Sequence, residues 1–192
     1  MKTDIILAGV GGQGILSIAA TIGMAAIANN LHIKQAEVHG MSQRGGAVQS
    51  HFRLSSDPIL SDLIPEGKAD IILSVEPMEA LRYVDFLKED GWIVTNATPF
   101  VNISNYPELD LLMNKLKGRK NTIILDADRI AKDLGSSRSS NIVMLGAASP
   151  FIDLPFESLE DAIKQIFIRK GERIVEANIK ALSAGRSIAE KK

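Results

Sequence analysis

The chain switches repeatedly between two hydrophobic rhythms. Asp4–Val10 is a nearly unbroken apolar run, the pattern of a strand covered on both faces. Ile15–Ala28 has helical length and is apolar nearly all round, with Ser17 and Thr21 as its only hydroxyls. Lys34–Val38, Gly46–Leu54, Ala69–Val75, Trp92–Ala97 and Thr122–Asp126 read as further strands. Met78–Lys88 reads as a helix with Leu81, Val84 and Leu87 on one face, and Asp128–Leu134 as a short one. The last quarter is helical. Leu159, Ala162, Ile163, Ile166 and Phe167 share one stripe, Ile174, Val175, Ile179 and Leu182 another, and Gly171 punctuates between them. Pro99–Glu108, with two prolines and two asparagines, reads as a surface loop. Strand–helix alternation predicts an α/β chain: an open, mostly parallel sheet, helices on both faces and a helical C-terminal quarter.

One stretch invites a different reading. No formally charged residue stands between Asp4 and Lys34, as in a signal peptide or a membrane span. Gly9, Gly11, Gly12 and Gly14 divide it, however, and the basic n-region is one lysine followed by an aspartate. A span needs about 20 consecutive apolar residues. A buried strand, a tight turn and a buried helix account for it better.

Composition narrows the chemistry. The 192 residues carry 22 basic and 23 acidic side chains, a net charge of −1. This balance argues against nucleic acid and against a polybasic membrane anchor. There is no cysteine, so a thiol nucleophile, a thiolate zinc site and a thiolate-held iron–sulfur cluster are all excluded. The same count fits a cytoplasmic protein. His32, His39 and His51 lack metal-ligand spacing. No metal site and no catalytic residue is expected.

The first candidate for function is the turn between the opening strand and helix. Gly9, Gly11 and Gly14 satisfy G-x-G-x-x-G in the strand–turn–helix setting that gives this motif meaning. Glycine allows positive φ and close backbone approach, and the first amides of the next helix suit a phosphate. Glu37 stands 23 residues past Gly14, near where an acid grips a ribose hydroxyl in a dinucleotide fold. One reading is therefore a stand-alone NAD(P)- or flavin-binding oxidoreductase; a purely packing role for the glycines is the other. Gly12 and Gln13 are unusual additions. So is the loop His39-Gly40-Met41-Ser42-Gln43-Arg44-Gly45-Gly46, where an arginine beside two glycines suits a phosphate, a carboxylate or a partner's acid. Glu76 and Asp126 end strands. Glu76 suits either a cap or an interface, while Asp126 and Asp128 suit a helix start. Trp92 reads as core.

Taken together, Gly9-Val10-Gly11-Gly12-Gln13-Gly14, Gln43-Arg44-Gly45-Gly46 and the preceding His39-Gly40-Met41-Ser42 resemble the gamma-type subunit or domain of the 2-oxoacid:ferredoxin oxidoreductases, in its indolepyruvate branch. Glu76-Pro77-Met78-Glu79-Ala80-Leu81-Arg82, Asn141 with Leu145-Gly146, and Asn178, Ala181 and Gly185 extend the resemblance along the whole chain. It implies one Rossmann-like domain over residues 1–192. It also implies a subunit supporting the coenzyme A-dependent oxidative decarboxylation of 2-oxoacids, with ferredoxin as electron acceptor. The residues it puts at a cofactor or coenzyme A contact are Gly9, Gly11, Gly12, Gln13, Gly14, Gln43, Arg44, Gly45 and Gly46. Thiamine diphosphate and the clusters are implied on a large alpha subunit. This chain lacks the opening G-D-G of a thiamine diphosphate signature, for its one D-G, Asp90-Gly91, follows Glu89. It is expected to bind no cofactor tightly, to be inactive alone, and to reach ferredoxin and coenzyme A through the complex.

Overall fold

A computed structural model describes residues 1–40 and 45–191. Six strands form one sheet: β1 (Lys2–Val10), β2 (His32–His39), β3 (Ala47–Ser55), β4 (Ala69–Ser74), β5 (Leu87–Asn96) and β6 (Thr122–Leu125). Their spatial order is β2-β3-β1-β4-β5-β6. β1, β4, β5 and β6 run parallel, whereas β3 is antiparallel to both β1 and β2. The expected mostly parallel sheet therefore holds, with one reversed strand. The reversal follows from the connection: only seven residues separate β2 from β3, enough for a hairpin but too few for the crossover a parallel pair needs.

Alternation along β1 sorts the two layers. Ile5 and Leu7 join the larger core with α1 (Ile15–Ala28), α4 (Ala127–Asp133), α5 (Ser140–Ala148), α6 (Phe156–Phe167) and α7 (Glu172–Ala189). Ile6 turns the other way, with Ile72, Ile93 and residues of α2 (Pro77–Arg82) and α3 (Leu109–Lys117). Helices thus cover both faces, and the C-terminal quarter is helical as expected.

Three local expectations change. The helix expected over Met78–Lys88 stops at Arg82, gives way to a 3-10 turn at Val84–Phe86, and β5 begins at Leu87. The pairing of β5 with β4 is irregular between Ala69 and Ile71. Gly91 permits the tight fit there, since a methyl group on it would lie 2.6 Å from Leu87 Cδ1. Two helices, α3 and α5, stand where the pattern predicts none. In α5 the reason is physical: Asn141 through Ala148 are all buried, so no polar face marks a period. Trp92 is partly buried against the core and stacks on Phe151, with ring centroids 4.0 Å apart.

The amino edge of the sheet is held by charge. The fully buried Asp4 carboxylate takes two bonds from the Arg53 guanidinium, at 2.7 and 3.1 Å, while Arg53 Nη1 donates to the carbonyls of Ser61 and Leu63. All its acceptors belong to the fold. The carboxyl edge differs.

Candidate functional site at the carboxyl edge

The parallel strands deliver their C-terminal ends to one edge, where ligands gather in open α/β sheets. The glycine turn leaves β1 there. Gly9 packs so closely on Val75 that a methyl group would lie 2.3 Å from Val75 Cγ2. Gly12 and Gly14 adopt φ of 101° and 83°, in the left-handed region that favours glycine. Gly14 is doubly constrained, because a methyl group there would also sit 2.6 Å from Asn141 Nδ2, which donates to the Gly14 carbonyl at 3.1 Å. Gln13 folds inward, its Oε1 accepting from Val10 N–H at 2.8 Å.

The two glycine segments meet. Gly11 N–H donates to the Gly46 carbonyl at 2.8 Å, and Gly45 N–H donates to the Gly11 carbonyl at 3.2 Å. This reciprocal pair joins the turn to the loop after β2. Gln43 and Arg44, expected at the same site, lie outside the described residues, as do Met41 and Ser42. The amides of Gly12, Gly14, Ile15 and Leu16 meet no acceptor among the described residues. They stand at the start of α1, whose cap residue Gly14 brings no side chain, so no side chain caps the positive end of the helix.

Glu37 does share a cleft of about 430 Å³ with the turn, along with His39 and Leu16. Its placement is nevertheless unlike that in a dinucleotide fold, where the second strand lies directly beside the first. Here β3 intervenes, moving Glu37 out by one strand spacing of about 4.8 Å. A second cleft, of about 860 Å³, opens on the other side of the turn, toward Ser136–Asn141 and α7.

The segment expected as a surface loop proves to be tied into this edge. Glu76, fully buried at the start of α2, accepts from Glu79 N–H at 2.8 Å, Phe100 N–H at 3.3 Å and the Tyr106 hydroxyl. From the same loop, Asn102 Nδ2 donates to the Gly45 carbonyl. One buried carboxylate thereby holds a strap that buttresses the glycine pair. Of the two roles open to Glu76, it caps α2; the strap is an addition the sequence did not suggest beyond its asparagines and tyrosine. The Tyr106 phenol is pushed above its ordinary value by burial and then by Glu76. Burial likewise raises Glu79, although Arg82, bonded at 3.1 Å, pulls it back in part.

Asp126 is a helix cap, as expected, accepting from Arg129 N–H at 2.9 Å. Asp128 instead accepts from Asn96 Nδ2 at 2.8 Å. His51 is a satisfied core histidine: its Nδ1 accepts from Ile64 N–H at 3.0 Å, and Gln49 meets its Nε2. Burial, then Arg53, lowers its pKa. Asp90-Gly91 lies within β5, five residues and more before the strand's carboxyl end. No helix among the described residues is long and apolar enough to cross a membrane.

The family model described as pyruvate ferredoxin/flavodoxin oxidoreductase matches residues 4–188. Indolepyruvate oxidoreductase subunit IorB of Archaeoglobus fulgidus is 37% identical over 194 residues, spanning 96% of this chain and 94% of that one. The gamma subunit of a keto/oxoacid ferredoxin oxidoreductase from Geobacter sulfurreducens superposes with a TM-score of 0.72 at 26% identity, covering 99% of both chains. A 2-oxoglutarate:ferredoxin oxidoreductase from Magnetococcus marinus, with 2-oxoglutarate, coenzyme A and succinyl-CoA bound, gives a TM-score of 0.80 at 21% identity. That likeness covers 100% of this chain and 31% of the longer one, and it shows the fold alone.

Proposed function

Because the chain belongs to the pyruvate ferredoxin/flavodoxin oxidoreductase family, we propose that it is the cluster-free, non-thiamine subunit of an indolepyruvate (arylpyruvate) ferredoxin oxidoreductase. In this reading residues 1–192 act as one gamma-type domain of a cytoplasmic complex. A large alpha subunit supplies thiamine diphosphate and iron–sulfur clusters, and the complex delivers electrons to ferredoxin. The residues of this chain do not fit a thiolate-held cluster, since it has no cysteine. Its one D-G lies within strand β5, Asp90 exposed and Gly91 buried, rather than in a ligand loop.

One observation carries the role. The two glycine segments are bonded to each other through Gly11, Gly45 and Gly46, beside four amides left open at the start of α1. Such a cradle suits a phosphate, and we assign it, with the Gln43–Arg44 loop, to the phosphates of coenzyme A. Exposed apolar residues on α1, Leu16 and Ile27, suit the partner's surface.

Reconstitution tests the reading. The isolated chain should give no indolepyruvate turnover with coenzyme A and ferredoxin, and addition of the alpha subunit should restore it. Turnover by this chain alone would overturn the proposal. Arg44→Ala should raise the KM for coenzyme A or weaken assembly.

A further inference from the structure

Away from the glycine turn, the face of the sheet covered by α2 and α3 carries a trough of about 660 Å³ between those helices. Its floor is apolar. Met78, Leu81 and Val84 are partly buried there, and Leu112 is only 5% exposed. Its rim is cationic, with Arg82 on one side and Lys115 and Arg119 on the other. No acidic side chain lines it among the described residues.

The cations are presented in two ways. Arg82 Nε donates to the buried Glu79 carboxylate at 3.1 Å, which fixes the guanidinium at the wall. Lys115 and Arg119 are exposed and take part in no ion pair among the described residues. One turn before Lys115, on the same side of α3, Leu111 is 59% exposed. Apolar surface framed by one sign of charge calls for a partner with apolar surface framed by the other. The acidic helix of this chain is α6, with Glu157, Glu160 and Asp161. Its apolar stripe is buried in the larger core, so a second copy of the chain does not supply that partner.

We infer that the trough is a docking groove for an acidic amphipathic helix of another protein. Apolar side chains one and two turns apart fill the floor, and carboxylates flanking that stripe meet Arg82, Lys115 and Arg119. Shape separates this occupant from others. A bilayer takes apolar groups that protrude into it, whereas Met78, Leu81 and Val84 are recessed between two helices. A small ligand is oriented by polar groups set within its pocket, and the floor offers only apolar side chains. The groove stands on the far face of the sheet from α1, α5 and α7, so the inference does not depend on the coenzyme A reading.

The probe is a fluorescein-labelled peptide of about 15 residues, long enough to form a helix, with leucines along one stripe and glutamates on both flanks. Fluorescence anisotropy follows its titration with the full chain. It should bind with a Kd of about 50 μM or tighter. Exchanging its leucines for serines at unchanged charge should weaken binding at least tenfold. Lys115→Glu combined with Arg119→Glu should do the same. A peptide with lysine in place of each glutamate should bind that double variant and not the wild-type chain, which also shows the variant to be folded. Binding that survives the leucine exchange would reduce the trough to a basic patch and overturn the inference. So would the absence of peptide binding at about 1 mM. Sedimentation of the chain with phosphatidylserine vesicles, abolished by the double variant while the peptide fails to bind, would overturn it in favour of a membrane surface.

Discussion

Glycines do opposite work in the turn after β1 and in the crossing of α5 and α7. At the crossing, a methyl group on Gly146 would lie 2.0 Å from the Leu182 carbonyl oxygen, and one on Gly185 would lie 1.9 Å from that of Val143. Both residues are helical, so their conformation suits any amino acid; only the space forbids a side chain. Gly12 is the reverse case, with nothing within 4 Å of the added methyl group and a φ of 101°. Gly14 combines both constraints. A glycine that meets backbone exists for packing. A glycine with open space above it and unbonded amides beside it exists for what comes to fill that space.

Substitutions can break this contrast. Gly185→Ala should have the largest effect, because a backbone carbonyl cannot rotate away as a side chain does. The expected loss is about 3 kcal/mol, the upper part of the overpacking range, and a fall in melting temperature of roughly 6–12 °C for a chain of this length. Denaturant unfolding with no shift would show that the helices separate freely. Gly12→Ala should cost less, about 1–2 kcal/mol of left-handed strain. A cost equal to that of Gly185→Ala would erase the distinction.

Two smaller effects concern protons rather than methyl groups. Burial raises Glu79 above its ordinary value of 4.5, so the folded chain holds this proton more tightly than the unfolded one. Its contribution is greatest below that value and is lost as pH rises through the folded pKa. Glu79→Gln should remove this decline in stability, and an unchanged stability–pH curve would count against the buried assignment. His51 has the opposite sign. Its folded pKa lies below 6.5, so stability should fall as pH drops from about 6.5 toward that lower value. His51→Gln should flatten this acid limb slightly in pH-dependent melting curves.

Much of the architecture was legible because strands with both faces covered are written as apolar runs. The exceptions have physical causes. Helix α5 is buried all round and has no amphipathic signature, and the direction of β3 depends on a hairpin rather than on its own residues. At the site, Gly9, Gly11 and Gly14 announce themselves through spacing. The strap that Glu76 forms with Tyr106 and Asn102 does not: it joins residues as far apart as 76 and 106, a contact no local pattern encodes. Asn141 and Asn178 could be picked out by family resemblance, but their common cleft appears only once α5 and α7 are packed together.

Kinetics of the assembled oxidoreductase, with Gly12→Ala and Gly185→Ala compared at a temperature where both remain folded, test the central claim most directly. The account predicts that Gly12→Ala raises the KM for coenzyme A at least tenfold, about 1.4 kcal/mol, while Gly185→Ala leaves it within a factor of about two. An unchanged KM in Gly12→Ala would contradict the assignment of the glycine turn to ligand.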